Sequence, residues 1–163
     1  MSTEPRWLAP REDRAWRTFV HAHHQLGVRL QRHLLQDSGL TEADYEILAV
    51  LSEYPTGRIP AQELCGLLVW EKSRLSHQVR RMQERGLITR EPNPADARST
   101  LICLLPAGRH AIVEAAPQHV HNVRNHFIDL LTPDELDTLI AVNERILRRL
   151  DEEPARDDGT LAD

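Results

Sequence analysis

The chain has 163 residues, 40% hydrophobic and 28% charged, with two cysteines and a net charge of −5. That length suffices for a domain with a real core, and no run approaches the roughly 20 apolar residues of a membrane span. The opening MSTEPRWLAPRED lacks the apolar core of a signal peptide, and Cys65 and Cys103 fit neither a disulfide framework nor a zinc-ligand spacing, so a soluble protein of a reducing cytoplasm is expected.

Residues 11–36 place Trp16, Phe19, Val20, His23, Leu26, Leu30 and Leu34 at spacings of three and four, the stripe of a helix. Asp37-Ser38-Gly39 stops it. Thr41 then caps a second helix, with Asp44 in the acidic position of a capping box and Tyr45, Leu48 and Leu51 on the buried face. Pro55-Thr56-Gly57 reads as a turn and Arg58-Ile59 as a strand fragment. Pro60 opens a short helix with Leu64, Leu67 and Leu68 on one side. After the connection Val69-Trp70-Glu71 comes a second helix over residues 72–85, so that two short helices meet at a tight link, the helix-turn-helix arrangement.

That second helix has an apolar side of Leu75, Val79 and Met82, and Gly86 ends it. The opposite side collects Ser73, His77 and Arg80, edged by Arg74, Ser76 and Arg81. Residues 87–90 and 99–105 read as two strands around a loop stiffened by Pro92 and Pro94, a hairpin wing. A long helix is expected over residues 107–130, bent early by Pro117, and Thr132-Pro133-Asp134-Glu135 begins a last one running to Leu150.

Charge follows this division. Residues 151–163 alone carry a net −5, which leaves residues 1–150 neutral, and the tail is expected to be disordered. Residues 58–98 hold eight basic and five acidic side chains, so the positive charge is local to the helix-turn-helix and wing.

The fold expected is mainly α with a small β-hairpin wing. A winged helix-turn-helix lobe (41–105) is flanked by dimerisation helices (11–36 and 107–150) and an acidic tail (151–163), all in a single domain spanning 1–163. A single copy would leave much of the long terminal helices' apolar faces uncovered, and twofold pairing is the common remedy.

A helix fits the B-DNA major groove and needs one side docked on its own protein and one cationic side free. Lys72, Ser73, Arg74, Ser76, His77, Arg80 and Arg81 supply the free side, with serines near the helix start suited to phosphates. At the wing, Arg98 suits the electronegative minor groove, and Asp96 is expected to hold its guanidinium in a salt bridge. These nine residues make up the expected site for double-stranded DNA, with Asp96 acting through Arg98 rather than touching DNA itself.

The run Leu64…Trp70-Glu71-Lys72-Ser73-Arg74-Leu75-Ser76-His77-Gln78-Val79, followed by Arg85-Gly86-Leu87-Ile88, Asp96-Ala97-Arg98 and Leu105-Pro106-Ala107-Gly108-Arg109, resembles the MarR family of transcriptional regulators. The Lys-Ser-x-x-Ser helix start and the Asp-x-Arg wing are its most specific parts, and Pro106 departs from the threonine usual there. The resemblance implies a homodimer on a palindromic operator, with effectors between the dimer helices and the winged lobes. Urate-responsive members carry a tryptophan on the first helix and an acid on the second. By that likeness Trp16, Arg17, His23 and Glu46 are the expected site of a small anionic or aromatic effector, against a plain packing role for Trp16. Peroxide-sensing members carry a first-helix cysteine, which this chain lacks.

The expected function is therefore a sequence-specific DNA-binding regulator, a repressor released by a small molecule, with no cofactor, no bound metal and no membrane partner. Two alternatives stay open. Nine histidines invite a metal-responsive regulator: His21 and His24 have ligand spacing on one helix, but His119 and His121 do not, and no cysteine completes a set. A helical interaction module without DNA would leave the Asp96–Arg98 hairpin unexplained. An enzyme is not expected, since the sequence has no nucleophile elbow, phosphate-binding glycine loop or paired-carboxylate motif.

Overall fold

The computed structural model describes residues 5–96 and 98–152. In chain order the elements are α1 (Pro10–Ser38), α2 (Glu42–Glu53), β1 (Arg58–Pro60), α3 (Ala61–Leu68), α4 (Lys72–Glu84), β2 (Ile88–Pro92), β3 (Thr100–Leu104), α5 (Pro106–His126), a 3-10 turn (Ile128–Leu130) and α6 (Pro133–Glu152). The described residues are mostly helical, with one antiparallel three-stranded sheet of order β1-β3-β2. By packing they divide into two compact units between Val123 and Arg124. No helix among them is long and apolar enough to cross a membrane.

Local chemistry fixes most boundaries. At the start of α2 the Thr41 hydroxyl accepts from the Asp44 amide at 3.1 Å, and the Asp44 carboxylate accepts from the Thr41 amide at 2.9 Å. This is the reciprocal capping box, which satisfies two helix-end donors at once. The α4 end is a Schellman turn: the Gly86 amide donates to Gln83 and the Leu87 amide to Met82, at 2.9 and 3.0 Å. Gly86 sits at φ +69°, a left-handed conformation that glycine adopts without a β-carbon clash. Val69, between α3 and α4, is also left-handed at φ 53°, where a β-branched residue is strained.

The core of the first unit gathers Ile47, Leu48 and Leu51 of α2, Ile59, Leu64, Leu75, Val79 and Met82, and Ile88 and Ile102 from the sheet. Leu34 of α1 and Ile112 and Ala115 of α5 join the same cluster, so its packing extends beyond residues 41–105 on both sides. Gly108 shows how closely α5 approaches. A β-carbon there would overlap the Leu87 carbonyl oxygen and lie 2.9 Å from Leu104 Cδ1. Only glycine lets the backbone pass at that distance.

Three expected boundaries need correction. Pro60 pairs with Leu101 as the last residue of β1 and precedes α3 instead of opening it. The long helix stops at His126, because Phe127 at φ −142°, ψ −65° leaves helical geometry and residues 128–130 form a 3-10 turn. Asp151 and Glu152 close α6, while the remainder of the acidic tail lies outside the described residues.

The terminal helices are the least covered. Over the 29 residues of α1 only Leu34 is buried, and Trp16, Phe19 and Val20 are exposed. In the second unit α6 buries no residue and exposes Ile140, Ile146, Leu147 and Leu150.

Candidate nucleic-acid interface

The α4 helix docks through Leu75, Gln78, Val79 and Met82 and leaves Lys72, Ser73, Arg74, Ser76, His77, Arg80 and Arg81 exposed. Several of these are already oriented within the protein. The Arg74 guanidinium lies 4.0 Å above the ring of buried Trp70, a cation–π contact that points it along the α3–α4 link. Arg80 approaches the His77 imidazole at 3.4 Å. The Ser76 hydroxyl and carbonyl accept from the Arg90 guanidinium at 3.4 and 3.2 Å.

Arg90 was not among the expected contacts, although it contributes to the basic surplus. It ties β2, at the wing base, to α4. Lys72, Ser76, Arg90, Asp96 and Arg98 line one groove of about 520 Å³ between α4 and the wing. Recognition-helix and wing residues far apart in sequence thus share a concave surface on which Lys72, Arg90 and Arg98 place positive charge, with Asp96 beside them.

The Asp96–Arg98 geometry differs from expectation. Among the described residues no ion pair joins the two side chains. The Asp96 carboxylate instead accepts from the Arg98 backbone amide at 3.0 Å. Two residues apart, that bond closes a compact turn and leaves the exposed guanidinium outside it. The tip has further bonds of this kind, from the Ala95 amide to the Asn93 side chain at 3.0 Å and from the Ser99 amide to the Asp96 carbonyl at 2.9 Å.

The α4 helix is set by Asp44, which is only 1% exposed. Besides its capping bond, its carboxylate accepts from Gln78 Nε2 at 2.6 Å and pairs with the Arg85 guanidinium at 2.7 Å. Arg85 also donates to the Gly39 carbonyl at 3.1 Å. One buried carboxylate therefore joins the start of α2 to the middle and C-terminal end of α4, and Arg85 carries the link on to the end of α1.

A second hollow, of about 430 Å³, lies on the other face of α2. Glu42, Tyr45 and Glu46 face it with His119 of α5, and Leu30 and Leu34 of α1 form part of its apolar wall. The Tyr45 and His119 rings are 4.3 Å apart. Burial lowers the His119 pKa and raises that of Tyr45. Burial, with Glu42 nearby, also raises that of Glu46, against a smaller opposing effect of Arg74.

A family model described as MarR family matches residues 38–99. The crystal structure of AbsC, a MarR family transcriptional regulator from Streptomyces coelicolor, is 39% identical over 91% of this chain and 100% of that one, with a TM-score of 0.87. The chain belongs to the MarR family. Sco3205, another MarR family transcriptional regulator from Streptomyces coelicolor, solved in complex with DNA, is 33% identical over 96% of this chain and 97% of that one, with a TM-score of 0.89. YsmB of Bacillus subtilis, an HTH-type transcriptional regulator, is 30% identical over 77% of this chain and 81% of its own length.

In this MarR family regulator Pro106, the departure from the usual threonine, is the first residue of α5, where a missing N–H leaves no bond unmade. The effector residues suggested by the urate-responsive members are not brought together within the chain. Trp16 and Arg17 line a shallow hollow on α1 with Val20, His21 and His24, whereas Glu46 lines the α2 cavity. Arg17 pairs with Asp13 at 2.9 Å, and His23 stacks on Phe19 at 6.2 Å. Fourteen residue steps of helix, roughly 21 Å at 1.5 Å per residue, separate Trp16 from Leu30 at the cavity wall. Among the described residues no three histidine, cysteine, aspartate or glutamate side chains gather to hold a metal ion. Cys103 is buried, which pushes its thiol pKa up, and Cys65 is half-buried.

Proposed function

We propose that this MarR family regulator is a cytoplasmic homodimeric repressor that reads a palindromic operator in double-stranded DNA and is released by a small-molecule effector. Its work is binding, without catalysis or a cofactor. The observation that carries this reading is the groove where the exposed face of α4 meets the wing, with Lys72, Arg90 and Arg98 along it. Lys72, Ser73, Arg74, Ser76, His77, Arg80 and Arg81 would present α4 to the major groove, with Arg98 at the minor groove and Asp96 shaping the tip that carries it. The exposed apolar residues of α1 and α6 support pairing of two copies through residues 11–36 and 107–150. Two recognition helices about 34 Å apart would then meet successive major grooves.

The test is binding of the purified protein to DNA upstream of its own gene and to a scrambled duplex, across a salt series. Expected is preference for the upstream DNA, with log K falling against log salt at about −0.9 per phosphate contact. Equal affinity for both duplexes at every salt concentration would refute operator recognition.

A further inference from the structure

We propose that the α2 cavity takes a lipophilic cation, an aromatic amine or quaternary ammonium, instead of an anionic effector. The inference rests on effector control and names the ligand class. Glu42 and Glu46 are the carboxylates of the cavity wall, and among the described residues no lysine or arginine lines it. The two are four residues apart on α2, on one face, where like charges repel. Glu42 sits in the first turn, where the helix dipole favours a carboxylate. Glu46 lies a turn further in, without that compensation and partly buried. Neither carboxylate holds an ion pair among the described residues. The neighbouring Arg74 is stacked on Trp70 and is not part of the wall.

The rest of the surface suits such a ligand. The Tyr45 and His119 rings, 4.3 Å apart, offer aromatic faces of the kind that attract an organic cation. Burial favours neutral His119, so the imidazole leaves the positive charge to the ligand. Leu30, Leu34, Leu67 and Leu68 give the hydrocarbon part an apolar wall. A volume of about 430 Å³ lies within the usual range for small-molecule pockets. A carboxylate ligand would instead face two carboxylates with no lysine or arginine among the described wall residues.

The experiment is calorimetric titration of the full chain, without DNA, with benzyltrimethylammonium and separately with benzoate. Expected is saturable binding of the cation and none of benzoate, with affinity for the cation falling about tenfold in Glu46→Gln, as loss of one attractive charge at a half-buried site implies. Glu42→Gln, at an exposed position that tolerates the change, should weaken it less. Benzoate binding as tightly as the cation would overturn the proposal, as would no cation binding, or cation affinity within twofold of wild type in both variants. Operator affinity with and without the cation is measured separately. Cation binding that depends on Glu46 but leaves operator affinity unchanged would refute control through this cavity and uphold the ligand class.

Discussion

Replacing Asp44 with alanine removes the acceptor that ties the start of α2 to α4, and the cost follows from its partners. Gln78 Nε2 is left in a buried position without the 2.6 Å bond, a loss of about 1–3 kcal/mol for an unsatisfied buried donor. The Thr41 amide loses its side of the capping box, about 0.5–1 kcal/mol by analogy with other helix-cap deletions. The Arg85 side chain is 43% exposed and can turn to water, so its share of the ion pair counts for less than about 1 kcal/mol. These losses are not additive, and about 3 kcal/mol is expected overall. For a chain of this size that lowers Tm by roughly 6–12 °C. Urea unfolding followed by circular dichroism, at one fixed protein concentration because dimerisation would couple to stability, measures it. Asp44→Asn keeps the volume and one acceptor and should cost about half as much. A loss below about 1 kcal/mol for Asp44→Ala would refute the reasoning, because the three bonds would then contribute little to the position of α4.

Arg98→Ala should weaken operator binding about tenfold and reduce the salt slope by about 0.9, if its guanidinium contacts phosphate or the groove beside it. Arg90→Ala frees the wing base from Ser76, and a several-fold loss of affinity with an unchanged slope would mark it as a positioning residue, both effects being read by fluorescence anisotropy. Gly108→Ala places a methyl group against the Leu87 carbonyl and should destabilise by about 1–3 kcal/mol, measured as a shift in the urea midpoint. His119 has its pKa lowered from 6.5, so the unfolded chain binds the proton more tightly. Its contribution to stability is present above 6.5 and lost as pH falls from there through the folded value. Glu46, with its pKa raised from 4.5, acts in the opposite sense, so the His119 effect is read as the difference between wild type and His119→Gln, which should narrow as the solution is acidified.

What the sequence made legible was mostly local. The Thr41–Asp44 box, the Gly86 terminus and the apolar side of α4 depend on residues within a turn or two of one another, and periodicity exposes them. Asp44 was readable as a cap because Thr41 is three residues away. Its bonds to Gln78 and Arg85 span 34 and 41 residues and exist only once α2 and α4 have packed. The polar Gln78 was hidden for the same reason, since an amide on a helix gives no sign that a carboxylate will cover it. Among the candidate contacts, Arg90 was overlooked because a strand arginine reads as surface until Ser76 is placed beside it. Trp16 and Glu46 were linked by likeness to other proteins, and the length of α1 separates them. Gly108 was legible as a helix-start glycine, while its close approach to Leu87 required the turn after β3 to be built.

The wing tip closes on itself. Asn93 and Asp96 supply side-chain acceptors for amides two residues ahead, and backbone bonds across residues 93–99 complete the turn. Its described bonds at the tip call on no other element, so the shape that presents Arg98 is encoded in a stretch of seven residues. Such a segment is portable: moved onto the hairpin of a related regulator, it should bring its arginine's placement along. Across a lineage, the tip is then free to diversify on its own clock, while the Asp44-centred joint, which spans α2 and α4, can change only in concert.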